Sequence, residues 1–331
     1  MGEIMSIKKN ARLIKWSVLN AISAAKNMIY ITKVRNDEKF YSDRIHAEIQ
    51  RTVHQIEKGL SIENPKKGFG TEKISLLIDY ISQISDYTDK ESIEVLNRAR
   101  SCVQTYLSFY DKMGWSTDKI EQLRKRFANI KIDNAPCGID AGLIDIEKVE
   151  HADEEYATLE KIASSRHSIR DFADGTVSTE LILKAIAFAQ KAPSACNRQS
   201  VRCYIIGKEK YSSIGDWLSG IGYFGDYGFD KIIIVTGKIT GYSESEGMQH
   251  LVSPGIFVGY LQLALEALNI GSCIMQRSLF NDTVWNKTRI ILNIPEDEQS
   301  YCLIGCGIKK ERYKVPVSKR LSTGIIAKVI E

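Results

Sequence analysis

The residues best suited to chemistry lie in one stretch, Ser165 to Gln199, reading SRHSIRDFADGTVSTELILKAIAFAQKAPSACNRQ. It opens with Arg166, Ser168 and Arg170 at every second position. On an extended backbone these three share one side, which then offers two guanidiniums and a hydroxyl. A guanidinium fork matches a phosphate or the edge of a planar heterocycle. The same pattern also suits a solvated strand edge with two surface charges. The stretch closes in Ala192-Pro193-Ser194-Ala195-Cys196-Asn197-Arg198-Gln199. Pro193 cannot continue a helix, Ser194 and Asn197 present short hydroxyl and amide groups, and Ala195 keeps the loop slim. Such a loop can lie against a flat ligand or be an ordinary polar turn.

Between the two motifs the spacing predicts an amphipathic helix. Ser178 is placed to cap it, and Leu181, Ile182, Ala185, Ile186 and Ala189 fall on one face. Taken together, R-H-S-x-R, this helix and A-P-S-A-x-N-x-Q resemble the FMN-dependent nitroreductase family, over roughly the last half of the chain. The resemblance implies an α+β fold, with a central, mainly antiparallel sheet flanked by helices. It implies that Arg166 and Ser168 serve the phosphate and ribityl end of FMN, with His167 between them among the cofactor-binding residues. Arg170 would face the N1/O2 edge of the ring, where reduction places negative charge. Pro193, Ser194, Ala195 and Asn197 would reach the flavin of a partner subunit. Where the family usually has Pro and an aromatic after the Gln, this chain has Ser200 and Val201, a departure that bears on the substrate side.

Further along, Gly271 to Arg277 corresponds to the segment whose backbone N–H meets flavin N5, which makes Met275, Gln276 and Arg277 the candidates. Arg277 is equally suited to an anionic substrate or a surface ion pair. Lys319 and Arg320 fall where the family places a basic phosphate clamp. The apolar helix at Ser253 to Asn269, with Gly255, Gly259 and Ala264, matches the family's dimer-core helix or an ordinary core helix. Residues 325 to 330 suit a terminal segment swapped onto the partner. The implied protein is a homodimer. Hydride passes from NADH or NADPH to FMN and then, in a ping-pong cycle, to a small organic acceptor such as a nitro compound or quinone. Two other readings share the fold: dehydrogenation of a biosynthetic precursor, or a non-catalytic flavin- or ligand-binding scaffold. The K-G-L-S and G-F-G loop resembles flavoproteins encoded with surface-polysaccharide genes.

Composition sets the bounds. The 331 residues are 44% hydrophobic and 26% charged, with net charge +4, which is ordinary for a globular protein and too mild to argue for nucleic acid. Seven cysteines without a C-x-x-C pair read as reduced thiols of a cytoplasmic protein. The five histidines lack metal-ligand spacing, and no metal is expected. No apolar run is long enough to span a bilayer, and Lys15 and Lys26 interrupt any signal-peptide core.

The elements that must position the motifs follow from periodicity. Residues 1–145 read as an all-helical region and 146–331 as the FMN-binding domain. Within residues 1–35, seven basic side chains and one acid accompany a stripe of Ile14, Val18, Ala21, Ile22, Ala25 and Ile29. That stripe is expected to pack on its own domain, with contact to an anionic membrane surface as the alternative. Further helices are predicted over 42–60, 71–85, 90–113, 116–127 and 153–164. The loop Ser61 to Gly70 lacks a phosphate-loop ending and reads as structural. Strands are predicted at 201–206, 230–236 and 300–307. The run Ile232-Ile233-Ile234-Val235 implies a strand covered on both faces. A Gly- and aromatic-rich loop, 220–228, is a candidate cleft wall or a surface loop.

Overall fold

The structure, a computed structural model, describes residues 2–130, 141–148, 150, 152–219, 228–276 and 283–330. Five helices come first: α1 (Gly2–Asn36), α2 (Tyr41–Leu60), α3 (Thr71–Ile84), α4 (Lys90–Lys112) and α5 (Asp118–Ala128). Capping residues set several of these starts: the Asp89 carboxylate accepts from the Ser92 N–H and the Thr117 hydroxyl from the Ile120 N–H, satisfying donors that the first turn leaves free. Helices α2 to α5 bury a common core that includes Ile49, Val53, Ile74, Leu77, Ile81, Val103 and Leu123. The 61–70 loop is structural, as expected. Gly68 and Gly70 take φ of 90° and 72°, a region that glycine enters without a Cβ clash. The turn presents the Phe69 carbonyl to the hydroxyls of Tyr106 and Tyr110.

Helix α1 corrects one expectation. Its predicted stripe does not pack: Ile14, Val18, Ile22 and Ile29 are 65%, 51%, 47% and 69% exposed. A different face makes the contact. Ile31 and Val34 bury against Phe40 and Ile239, and Arg35 donates to the carbonyls of Ile239 and Gly247 at 3.3 and 2.9 Å. Among the described side chains, the last turns of the helix reach the rest of the chain, and the stripe from Ile14 to Ile29 stays exposed. No helix among the described residues is long and apolar enough to cross a membrane.

The second half begins with α6 (Ala152–Ser165) and α7 (Thr179–Ala189), where Ser178 caps α7 through the Leu181 N–H. Then come β1 (Val201–Gly207), α8 (Gly215–Ser219), β2 (Lys231–Lys238), α9 (Gln249–Ala267), β3 (Ile270–Met275), α10 (Thr283–Ile291), β4 (Glu298–Ile308) and the short α11 (Thr323–Ile326). The predicted strands and helices are present, although α9 starts before Ser253 and holds Pro254 in its second turn. The predicted loop 220–228 falls almost wholly outside the described residues. The four strands form one antiparallel sheet in the order β1-β2-β4-β3.

Both faces of the sheet are covered, which explains the unbroken apolar run in β2. Ile233 and Val235 join α7 and α9 in one core. Ile232 and Ile234 join Trp217 and Trp285 in the other. Glycines admit aromatic rings from neighbouring segments. A Cβ at Gly307 would stand 2.5 Å from the Phe172 ring, and one at Gly305 2.3 Å from Phe229.

At the start of α9, His250 is fully buried and its Nε2 donates to Gln299 Oε1 at 2.9 Å. Burial pushes the imidazole pKa down to about 4. The unfolded chain takes up this proton below about 6.5, whereas the folded chain resists until about 4. Stability is therefore expected to fall as pH drops from 6.5 to 4, by about 3 kcal/mol from this group. Asp297 and Glu298, raised by burial, act with the opposite sign. Urea unfolding of the wild type against His250→Gln, repeated from pH 7.5 to 4.5, isolates the histidine contribution. Parallel curves would show that His250 does not titrate across this window.

Candidate functional site

Arg166 follows the last turn of α6, its N–H bonded to the Ile162 carbonyl. From there the chain runs alongside β3. Ser168 bridges Ser272 in parallel fashion, and the Ile169 N–H donates to the Ser272 carbonyl at 2.9 Å. Ile169 is buried and Arg170 exposed, the alternation that extended backbone requires. Burial pushes the Cys273 thiol up, while Arg170, the Ser168 hydroxyl and Arg166 pull it down. All three motif side chains thus stand around the middle of β3. His167 Nδ1 faces the Ser165 carbonyl at 2.8 Å. Among the described residues neither guanidinium pairs with a carboxylate; Arg170 makes one long contact, 3.4 Å, to the Ser168 carbonyl. Two cations without counter-ions and a hydroxyl fit a phosphate-bearing ligand in donor chemistry.

Met275 ends β3, and Gln276 follows, its amide 3.5 Å from the Tyr301 carbonyl. These two share the edge strand with the arginine segment. Arg277 lies outside the described residues. Lys319 and Arg320 are exposed in the segment after β4, where Arg320 donates to the Ser318 carbonyl.

The second motif stands elsewhere. Pro193 and Ser194 follow α7, and Ala195–Asn197 form a 3-10 turn leading into β1. Cys196, Asn197 and Gln199 adopt φ of 51°, 52° and 49°. Three non-glycine residues in the left-handed region represent stored strain, on the order of 1–3 kcal/mol each, which surrounding contacts must hold. Arg198 supplies one such contact. It is buried, pairs with Glu246, donates to the Ala195 and Gly241 carbonyls at 3.1 and 3.0 Å, and lies over the Tyr242 ring. The Arg198 hydrogen bonds hold the Glu246 carboxyl down at about 2.

The helical region supplies contacts that the sequence did not reveal. Gln50 of α2 donates to the Arg198 carbonyl at 3.3 Å. Arg98 of α4 donates to Gln50 Oε1 at 2.6 Å and, with the Gln199 amide oxygen turned toward it, to Gln199 at 2.7 Å. Arg202 pairs with Glu91 at 2.6 Å, and Lys238 with Asp43 and, at 3.6 Å, Glu91. No local motif marks these residues, because every partner lies at least 48 positions away, and those across to the 198–238 segment more than a hundred.

Sheet order separates the two motifs. The arginine segment flanks β3 at one edge, and the proline–serine loop feeds β1 at the other. Four inter-strand steps amount to about 19 Å, wider than a tricyclic ring. One chain does not close both around one ligand.

Several solved structures resemble about half of the chain. An FMN-dependent nitroreductase from Clostridium difficile R20291 is 22% identical, covers 51% of this chain and 98% of its own, with a TM-score of 0.43. A nitroreductase with bound FMN from Bacteroides fragilis NCTC 9343 is 15% identical, covering 52% and 98%, with a TM-score of 0.44. A mutant of an FMN- and NADPH-dependent nitroreductase derived from Sphigopyxis sp. strain HMH is 17% identical, covering 52% and 98%, with a TM-score of 0.42. No curated protein matches the chain significantly. The sequence model of the Nitroreductase family matches residues 163–221, the stretch that holds Arg166, Ser168, Arg170, α7 and the Pro193–Asn197 turn.

Proposed function

We propose that the protein is an FMN-dependent oxidoreductase whose flavin sites form between two copies of the chain. The observation that carries this reading is the placement of the two motifs on opposite sheet edges, inside the stretch that the Nitroreductase family model matches. A second copy supplies the missing half of each site. Exposed apolar side chains fit such a partner. Val252, Ile256 and Tyr260 recur every fourth residue along α9 at 48%, 40% and 36% exposure, beside Phe188 of α7. Ile325, Ile326, Val329 and Ile330 of the terminal segment are more than 65% exposed. Of the α9 glycines, Gly255 makes room for Tyr301 within the chain, whereas Gly259 has open space beside it.

In this reading Arg166 and Ser168 bind the FMN phosphate end, with Lys319 and Arg320 added from the terminal segment. Arg170 lies toward the pyrimidine edge of the ring. A backbone N–H at Met275 or Gln276 would serve N5, and the partner's Pro193–Asn197 turn would close the other side. Bound FMN supplies the hydride chemistry between NADH or NADPH and a small organic acceptor. The chain supplies cations where negative charge resides, and a rigid wall that limits water. The helical region, with its boundary near residue 145, acts as a support for that wall.

An absorption spectrum of purified protein is expected to show flavin bands that bleach on anaerobic NADPH addition. Light scattering is expected to give twice the chain mass. Gly259→Arg, which adds a charged side chain where the single chain leaves space, is expected to yield a folded monomer that loses its flavin. A monomeric wild type retaining FMN would refute the shared site.

A further inference from the structure

A cavity of about 500 Å³ lies where the helical region meets the second half of the chain. Its floor is apolar, from Ile186 and Leu183 of α7, Val201 and Ile205 of β1, and Phe257 of α9; its outer wall is α4. Pro193 and Ser194, assigned above to the flavin wall, also line it. The size is that of a small-molecule site, for which about 300–1,000 Å³ is typical.

The charges on the lining are not evenly matched. Five charged residues contribute: Lys90, Glu91, Glu94, Arg98 and Arg202. Glu91 is paired with Arg202 at 2.6 Å and Glu94 with Lys90 at 3.9 Å. Arg98 has only the amides of Gln50 and Gln199. It is the lining charge without a carboxylate among the described residues. A guanidinium held by two neutral amides, half-buried beside an apolar floor, has donors to offer an anion.

We propose that this cavity is the acceptor pocket of the flavin site, and that it takes a planar apolar molecule carrying a carboxylate or comparable anion, bound by Arg98. The proposal rests on the flavin reading above. It gives the helical region a role in selecting the substrate: α4 provides the cation, and α7 with β1 provides the surface on which the ring lies. Pro193 and Ser194 connect the pocket to the flavin wall.

The probes are 4-nitrobenzoate and its neutral analogue 4-nitrobenzamide. Binding to full-length, flavin-loaded protein is measured calorimetrically, without turnover. The carboxylate is expected to bind about tenfold more tightly than the amide. Arg98→Gln is expected to remove that preference while leaving the affinity for the amide within about twofold. Leu183→Trp, which fills the floor from α7, is expected to weaken both probes at least tenfold with flavin content unchanged. In net turnover, 4-nitrobenzoate takes up one hydride, supplied by NADPH, and one proton from solvent, and releases water to give the nitroso compound. The Arg98→Gln effect on that reaction is expected in KM rather than kcat. Arg98→Gln that keeps the preference, or Leu183→Trp that leaves both affinities intact, overturns the acceptor pocket while the flavin reading stands. A wild-type protein that takes up no FMN overturns both.

Discussion

Replacing Arg166 and Arg170 together with alanine is expected to strip the purified protein of FMN. Each guanidinium stands beside β3 without a carboxylate partner among the described residues. Removing either one therefore releases no buried acid and leaves the fold intact. A hydrogen bond to a charged group contributes about 1.5–3 kcal/mol, so the pair accounts for about 3–6 kcal/mol, or 10²–10⁴ in Kd. The single variants fall between. Because Arg170 is exposed, its share is expected to shrink at high salt as screening grows. Arg124→Ala, which removes a surface arginine paired with Asp111 in the helical region, serves as the control and is expected to keep full flavin. Flavin content by absorbance after gel filtration, with circular dichroism to confirm folding, decides the matter. Equal occupancy in wild type and the double variant would mean that the cofactor sits elsewhere.

Gly237→Ala is expected to be the most damaging single-methyl change in the sheet. Gly237 lies in β2 opposite Val201 and Gln299, where the first turn of α9 crosses the strand. A Cβ there would lie 1.8 Å from the His250 carbonyl oxygen, 2.9 Å from its carbon and 3.0 Å from Pro254 Cγ. The obstacle is backbone at a helix start, with Pro254 stiffening the following turn, so it cannot swing aside as a side chain would. Overpacking of this kind typically costs 1–3 kcal/mol and more when backbone must shift. About 3 kcal/mol or more is expected, against a total of roughly 5–15 kcal/mol. Gly305→Ala meets only the Phe229 ring, and a smaller loss is expected. Urea unfolding at fixed protein concentration measures both. A Gly237→Ala midpoint equal to wild type would show that α9 does not press on β2 as described.

Much of the local structure was legible. The apolar spacing of residues 71–84 and 90–112, the Ser178 cap and the β-branched run at 232–235 each involve groups a few positions apart. Near neighbours in sequence are near neighbours in space, whatever the fold. The chemistry of R-x-S-x-R was visible for the same reason: alternation on an extended segment sets Arg166, Ser168 and Arg170 on one side, and the buried Ile169 agrees.

What escaped the sequence depended on which surfaces meet. Periodicity showed that α1 has an apolar stripe, but not that the chain turns a different face, through Ile31 and Val34, toward Phe40 and Ile239. Gln50 and Arg98 gave no sign that they support the strained 196–199 turn, since α2 and α4 reach it only after the helical region docks beside β1. The strand order β1-β2-β4-β3, which sends the arginine and proline–serine motifs to opposite edges, is likewise absent from any short window. The sequence by itself determined the helices, the strands and the chemical types at the two motifs, because those depend on backbone geometry over a few residues. Tertiary structure alone decided how far apart the motifs stand and which helical residues back the loop. Those follow from the long-range pairing of strands and the burial of both sheet faces, which no local pattern encodes.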